Sequence, residues 1–421
     1  SKCLGPSWSL DEPCPKCWEN DGTPMDLTPT LKDKMKERLD EYIDLMLSQR
    51  PSTGGTVFSG VGGRALILLK LFSATSNSTY LELAKPYVKD MESKLFAQEA
   101  KDMVTGFVGF MWSHVGMWCV SALYADLTND TETVKKRLKD INDLFEKDKG
   151  KYDDFDAGRA GLLFAARFLQ ANIEPKGSPK VSDDLLRKVA LSIIQRGHET
   201  GLQNGHTYLQ WHGPNDSGLW LGQSHGTAGV IQQLVETVPD LFRENATASK
   251  LVRDTLDNMV SSQFSSGNFP TEYYNATQDV LVQWDHGAPG ISAALLASWK
   301  VFQDESYFHS ATRALECTWK RGLIFKGLMN CHGISGNTWM QLYAAQVTGN
   351  ETYAQRAVSF QNTVLSEPLL SDPTQMRQPQ PAATTPWMFW VGSYISSIEL
   401  WTDMLYRGPM NSSMTGFMPE L

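Results

Sequence analysis

Apolar and polar residues alternate along this chain with the period of an α-helix. The first such stretch begins near residue 31, and Lys, Asp and Glu separate its apolar positions. The apolar positions are Leu31, Met35, Leu39, Tyr42, Ile43 and Met46. A glycine-rich turn at 59–63 then leads into the apolar run 65–69. This pairing predicts a charged, amphipathic helix followed by a helix that is apolar nearly all round.

The same pairing recurs to the end of the chain. Residues Val134, Leu138, Ile141 and Phe145 mark one later amphipathic helix, and Val252, Leu256, Met259 and Val260 mark another. Turns of the form Gly-x-x-Gly, or close to it, recur every 45 to 68 residues. They lie at 60–63, 113–116, 158–161, 226–229, 287–290 and 333–336, with a degenerate one at Gly392.

The seven turns predict an all-α ring of repeated units, in which amphipathic helices surround apolar ones. No alternating run supports a β-sheet. Residues 1–27 are predicted to be an irregular segment and 28–421 a single domain. The stretch from Gly197 to Gly222 repeats least, and we interpret it as a long loop or lid. Tyr208 and Trp211 in this stretch are candidate ligand-binding residues.

Composition narrows the class of protein. The 421 residues are 41% hydrophobic and carry a net charge of −9, which argues against non-specific nucleic-acid binding. No apolar run is long enough to predict a transmembrane span.

Seven Asn-x-Ser/Thr sequons indicate a secreted glycoprotein, with a cytoplasmic protein as the alternative. They are Asn77, Asn129, Asn215, Asn245, Asn275, Asn350 and Asn411. Cys3, Cys14 and Cys17 crowd the N-terminus, where a disulfide is expected rather than half of a zinc knuckle.

Polar residues just before the glycines carry the candidate chemistry. Asp285 and Cys331 hold the same place relative to their glycines, and His332 follows Cys331. In a ring of units these three side chains would meet at one mouth. Carboxylate, thiolate and imidazole together suit a zinc ion. The alternative is that Cys331 is a buried thiol and the histidines cap helices. His286 is a further candidate ligand or a wall of the pocket.

Three segments resemble the LanC-like family of lanthipeptide cyclases and their eukaryotic relatives. They are Gln283–Gly290, Leu328–Gly333 and Ser224–Gly229, and Asp154–Gly161 agrees with them. The resemblance implies a double α-barrel, or α/α toroid, of seven inner and seven outer helices. It also implies a zinc ion that activates a thiol for addition to dehydroalanine or dehydrobutyrine, with glutathione as the thiol in eukaryotic members.

Carried over residue by residue, the resemblance assigns Cys331 and His332 as zinc ligands, and Asp285 stands where the family has another cysteine. His225 matches the acid–base histidine and Asp154 its acidic partner. Lys326 matches a residue that contacts the glutathione carboxylate.

The sequence therefore predicts a zinc-dependent enzyme that forms carbon–sulfur bonds, with a thiol or peptide as its ligand. The alternative is a secreted LanC-like protein that binds a peptide or thiol without turnover, which the lost arginine and glycine features of the last unit favour. A carboxylate ligand would make the zinc a stronger Lewis acid and a bound thiolate less nucleophilic. The oligomeric state is not predicted.

Overall fold

A computed structural model describes residues 20, 22–49, 53–274, 278–324, 326–366 and 392–412. That part of the chain contains fifteen α-helices and no β-strand, which confirms the all-α prediction. The helices are α1 Pro29–Ser48, α2 Val61–Thr75, α3 Ser78–Thr105, α4 His114–Leu127, α5 Thr131–Lys147, α6 Arg159–Asn172, α7 Asp183–Gln203, α8 Thr227–Thr237, α9 Pro239–Glu244, α10 Ala246–Ser261, α11 Ala288–Phe302, α12 Glu305–Arg321, α13 Ile334–Thr348, α14 Glu351–Ser366 and α15 Ser393–Tyr406.

Each of the seven predicted turns delivers the chain into an apolar helix. Helices α2, α4, α6, α8, α11, α13 and α15 begin directly after the first residue of their turns. At Gly116, Gly161, Gly290 and Gly336 the second glycine of the turn is needed because a carbonyl oxygen from six residues earlier lies against it. A Cβ on Gly290 would overlap the carbonyl of Trp284, and one on Gly336 would overlap that of Asn330. The repeated glycine is thus a packing requirement.

The amphipathic helices bury most, but not all, of the apolar positions that their sequences predicted. In α1 the buried residues are the six apolar positions named above. In α5 Ile141 and Phe145 are buried, but Val134 and Leu138 are only half-buried, as is Val260 in α10. Arg137 of α5 is buried instead. The Arg137 guanidinium donates to Ser121 Oγ and forms an ion pair with Asp140. A buried arginine is tolerated here because its charge is paired.

The chain divides into two compact units. The first consists of Ser1–Arg50, Leu221–Gln223 and Val260–Ser412, and the second of Pro51–Trp220, Ser224–Met259 and Ser413–Leu421. In the first, α1 packs on α15, α11 on α12, and α13 on both α11 and α14. In the second, α2 packs on α3, α4 on α5, and α6 on both α4 and α8. The single domain over 28–421 stays a prediction, and most of 1–27 lies outside the described residues.

The segment 197–222 is less of a loop than predicted. Helix α7 continues to Gln203, so the first residues of the segment are helical. Gly197 lies inside that helix, and the Trp211 ring packs directly against it. A glycine is needed there because a Cβ would overlap the ring. The Trp211 indole N–H donates to the Ile193 carbonyl (2.9 Å), and the side chain is only 2% exposed. Trp211 therefore secures the loop to α7. Tyr208 is half-buried and stacks on His206.

Candidate functional site

The turn that carries Asp285 and His286 lies in the first unit. Gln283 and His286 exchange two backbone hydrogen bonds (3.1 and 3.2 Å), which closes the turn. Gly287 then adopts φ 102°, a conformation that favours glycine. The Asn268 side-chain oxygen accepts from Ala288 N (2.8 Å) at the start of α11, and its amide group donates to the Leu281 carbonyl. Asn268 therefore ties both ends of this turn together.

The turn that carries Cys331 and His332 is held from α15. Ser393 Oγ accepts from Leu328 N and Ser396 Oγ from Asn330 N, both at 3.0 Å. The Asn330 side chain donates to the buried Glu399 carboxylate at 2.7 Å. Although the last turn lacks a second glycine, its helix supplies side chains that position the residue before Cys331.

The two turns meet through their backbones and their side chains. The backbone N–H of Asp285 donates to the Cys331 carbonyl (3.0 Å). Asp285 Oδ2 lies 2.8 Å from His332 Nε2 and 3.4 Å from His286 Nε2. The ligand atoms of Asp285, His286 and His332 all lie within 4.8 Å of one another. One carboxylate oxygen and two imidazole nitrogens in this arrangement form a set that suits a divalent first-row metal ion.

Cys331 contacts this cluster from its other side. Its Sγ lies 2.8 Å from His332 Nδ1, and the cysteine is buried. Of the three predicted ligands, the structure therefore brings Asp285 and His332 into direct contact. Cys331 contacts the other nitrogen of the His332 ring. His286, predicted as a further ligand or a wall of the pocket, lies 3.4 Å from Asp285 Oδ2. The predicted ligand set of Asp285, Cys331 and His332 stays a prediction.

Lys326 lies beside the first of these turns. Its Nζ donates to Gln283 Oε1 at 2.8 Å, and the side chain is half-buried. Gln283 belongs to the turn that holds Asp285, so this hydrogen bond fixes the Lys326 ammonium group against the turn that contributes Asp285 and His286. A cation held there suits the binding of a ligand carboxylate.

A second cluster, in the second unit, is centred on His225. His225 Nδ1 lies 2.9 Å from Asp154 Oδ2, and Asp154 is fully buried. The same carboxylate oxygen accepts from the backbone N–H of Ala157 (3.1 Å). A carboxylate fixed in this way favours the tautomer of the imidazole in which Nδ1 carries the proton, the arrangement that suits a general acid–base histidine. The structure thus brings together the predicted acid–base pair.

Two polar neighbours of His225 were not predicted as site residues. Asp156 Oδ2 lies 3.7 Å from His225 Nε2 and accepts a hydrogen bond from Ser224 Oγ at 2.6 Å. The signal was present in the sequence, because Asp156 and Ser224 belong to the segments that carry the family resemblance. Position in the sequence does not by itself distinguish Asp156 as a neighbour of His225, because Asp153 of the same acidic turn pairs with Arg159 instead.

That arginine stabilises the turn that presents Asp154. Arg159 Nε donates to Asp153 Oδ1 (2.7 Å), and Arg159 Nη1 donates to Asp148 (3.0 Å). Burial lowers the pKa of Arg159, but Asp153 and Asp148 outweigh this effect and raise the pKa above its ordinary value. The guanidinium therefore stays charged, and the ion pairs hold the acidic turn in place.

A cavity of about 440 Å³ lies beside Trp112, whose ring contacts His225. Trp112 lines the cavity and meets His225 edge to face, with 5.2 Å between ring centroids. Phe58 and Phe107 pack on the same indole, and Lys101 stands at the rim. A cavity of this size with aromatic walls is suited to an apolar or peptide ligand.

The structure describes six of the seven asparagines that are predicted to carry glycans. Asn77, Asn129, Asn215, Asn350 and Asn411 are exposed, Asn245 is half-buried, and Asn275 lies outside the described residues. The side chains of Asn77, Asn245 and Asn350 accept backbone N–H groups at helix starts, a structural reason for asparagine at these positions.

The disulfide expected among Cys3, Cys14 and Cys17 lies outside the described residues. Within them, Cys119, Cys317 and Cys331 are buried and form no disulfide. No described helix has the length and apolarity needed to cross a membrane.

Comparisons with known proteins agree on one family. The model of the family described as "Lanthionine synthetase C-like protein" matches residues 51–375. Glutathione S-transferase LANCL1 of Danio rerio is 26% identical over 314 residues, covering 72% of this chain and 73% of the relative. LanC-like protein GCL1 of Arabidopsis thaliana is 30% identical over 325 residues, covering 74% and 70%.

Among solved structures, nisin cyclase superposes with a TM-score of 0.62 and 14% identity over 93% of this chain and 98% of that one. At this identity the likeness bears on the fold, which is the α/α toroid. In the described part of the chain, seven apolar helices follow the turns and seven longer helices alternate with them, with the six-residue α9 in addition, and the predicted α/α toroid is confirmed.

Proposed function

The chain belongs to the lanthionine synthetase C-like family, and on this premise we propose that it activates a thiol at a metal ion for addition to a dehydroamino acid. The thiol is glutathione or a peptide cysteine, and the acceptor is dehydroalanine or dehydrobutyrine. A relative named as a glutathione S-transferase supports this class of reaction.

The observation that carries the proposal is the cluster formed by two separate turns. Asp285 and His332 are 47 positions apart along the chain (332 − 285), yet Asp285 Oδ2 lies 2.8 Å from His332 Nε2. With a third ligand from His286 or Cys331, they would hold zinc. Zinc supplies a Lewis acid that favours the thiolate form of a bound thiol.

The chain's own residues have distinct parts in this reaction. Lys326, held by Gln283, would bind the carboxylate of the thiol substrate. By the family resemblance, His225, whose Nδ1 is fixed by Asp154, is the residue that we propose as the proton donor of the reaction. The new carbon–sulfur bond forms at Cβ of the dehydroamino acid, and the proton completes the saturated product.

The test is product formation by the metal-loaded protein. Glutathione and a peptide that contains dehydroalanine are incubated with wild type, and mass spectrometry measures the adduct. Asp285→Ala and His225→Ala should abolish the enzymatic rate, while His114→Ala, which removes the histidine of another buried pair, should retain it if folded. A wild type that binds metal but yields adduct only at the uncatalysed rate contradicts the proposal.

A second candidate function is binding of a peptide or thiol without turnover, outside the cell. It is favoured by the carboxylate at position 285, because oxygen in place of a thiolate makes a bound thiolate less nucleophilic. Glutathione or peptide would then raise the melting temperature of the protein while no adduct forms. The exposed sequons support a secreted location, and a shift in mass after glycosidase treatment of protein from secreting cells would test it.

A further inference from the structure

We propose that the metal ligands in this chain are Asp285, His286 and His332, and that Cys331 lies outside the coordination sphere. Instead of binding the metal, Cys331 would orient the His332 ring. This inference rests on the proposed function only in that both place a metal ion at these turns. It differs from the family resemblance, which assigns Cys331 to the metal.

The two nitrogens of the His332 ring decide between the alternatives. Nε2 lies 2.8 Å from Asp285 Oδ2, and Nδ1 lies 2.8 Å from Cys331 Sγ. The lone pairs of the two ring nitrogens diverge, so a single ion reaches only one of them. An ion at Nε2 is on the side of Asp285 and His286, whereas an ion at Nδ1 is on the side of Cys331.

Only the Nε2 side offers three protein ligands. Asp285, His286 and His332 present ligand atoms within 4.8 Å of one another. Separations of 2.8 and 3.4 Å between Asp285 Oδ2 and the two Nε2 atoms are near the roughly 3.3 Å expected between ligands about 2.0–2.1 Å from one zinc ion in a tetrahedral arrangement. On the Nδ1 side the described residues supply only Cys331 and His332, one ligand fewer than a catalytic zinc site uses.

Cys331 then has a different part. With Nδ1 protonated, His332 donates to Cys331 Sγ, and the Nε2 lone pair is directed at the metal. A hydrogen bond to the far nitrogen is the usual way in which proteins fix the tautomer and orientation of a metal-bound histidine. Here a buried sulfur accepts that hydrogen bond, so Cys331 is a positioning residue.

The chemical class of the metal follows from the donors. One carboxylate oxygen and two imidazole nitrogens are harder ligands than the thiolates of a sulfur-rich zinc site. The set takes a divalent first-row ion, Zn²⁺ or Co²⁺, with positions left for a substrate. Because the protein supplies no thiolate, any metal–sulfur bond in this site must come from the substrate.

The experiment uses the full chain loaded with Co²⁺, whose absorption spectrum reports the ligands directly. Without added thiol, the wild type should bind about one Co²⁺ per chain and show no thiolate-to-cobalt charge-transfer band. Adding glutathione should create that band. His286→Gln should weaken metal binding at least about tenfold, because it removes one of three protein ligands.

Cys331→Ser is the decisive variant, since its hydroxyl still accepts from Nδ1. It should retain metal affinity to within a few-fold, and Cys331→Ala should lose about 10- to 100-fold, the usual cost of removing an outer partner of a ligand. Cys119→Ser is the matched control, because Cys119 is a buried thiol inside α4, away from the two turns in sequence. Circular dichroism confirms that each variant is folded.

The outcomes separate the two proposals. A charge-transfer band in wild type without thiol that disappears in Cys331→Ser overturns this inference, and the addition reaction can still be intact. Metal bound as described with no adduct formation leaves the inference standing and contradicts the proposed function. A folded wild type that takes up no Zn²⁺ or Co²⁺ overturns both.

Discussion

The contribution of Asp154 can be isolated by replacing it with asparagine. Asp154 Oδ2 accepts from His225 Nδ1 (2.9 Å) and from Ala157 N (3.1 Å), and Asp154 is fully buried. Hydrogen bonds to a charged group contribute about 1.5–3 kcal/mol and neutral ones about 0.5–1.5 kcal/mol. Asp154→Asn keeps the shape and loses roughly 1–1.5 kcal/mol of support for the imidazolium, which corresponds to about a tenfold lower rate of thiol addition.

The control for this change is another buried histidine–aspartate pair. Asp102 Oδ2 lies 2.8 Å from His114 Nδ1 and also accepts from His114 N. Asp102→Asn should therefore destabilise the protein at least as much as Asp154→Asn, as urea unfolding would measure, without lowering the rate of the folded enzyme. The assay is adduct formation under saturating glutathione at matched folded concentration. Equal rate losses in the two variants, or full activity in Asp154→Asn, would refute an acid–base role for His225.

Three further predictions concern packing, ligand binding and location. Gly336→Ala should destabilise the fold by about 1–3 kcal/mol, because the new Cβ overlaps the Asn330 carbonyl, and urea unfolding beside wild type would show it. Lys326→Met should raise the KM for glutathione several-fold with little change in kcat, as steady-state kinetics would report, since it removes a group that binds the substrate without reacting. Asn77→Asp should keep the helix cap of α3 and its stability, yet protein from secreting cells should lose one glycosidase-sensitive mass step.

The fold was predictable because its requirements are periodic. The buried face of α1 follows directly from apolar residues at helical spacing. Each Gly-x-x-Gly turn reports a local backbone contact, as at Gly290 against the Trp284 carbonyl. The prediction was wrong where a glycine serves a distant contact. Gly197 looks like a turn residue, but a tryptophan fourteen positions later packs against it inside a helix.

The site was predictable only to the level of its residues. Position before a glycine brings Asp285, Cys331 and His332 to adjoining turns, and the resemblance pairs His225 with Asp154. Which ring nitrogen of His332 meets which neighbour depends on side-chain rotation, and spacing along the chain contains no information on that. The support from Glu399 was also hidden, because it reaches the site through Asn330 from a helix about seventy residues later.

The position of Asp285 explains how one fold can accommodate a change of ligand. The backbone N–H of Asp285 donates to the Cys331 carbonyl, and its own carbonyl accepts from Gln223 N. The next contact that the turn requires is at Gly290, where the carbonyl of Trp284 leaves no room for a side chain. The packing of the turn is therefore specified by backbone groups and a glycine, none of which depends on the side chain at position 285. Cysteine and aspartate satisfy the same backbone bonds, so the residue at this proposed ligand position can change without altering the toroid. For this reason membership of the family establishes the fold of this chain, whereas the metal binding that we propose for it depends on its own side chains.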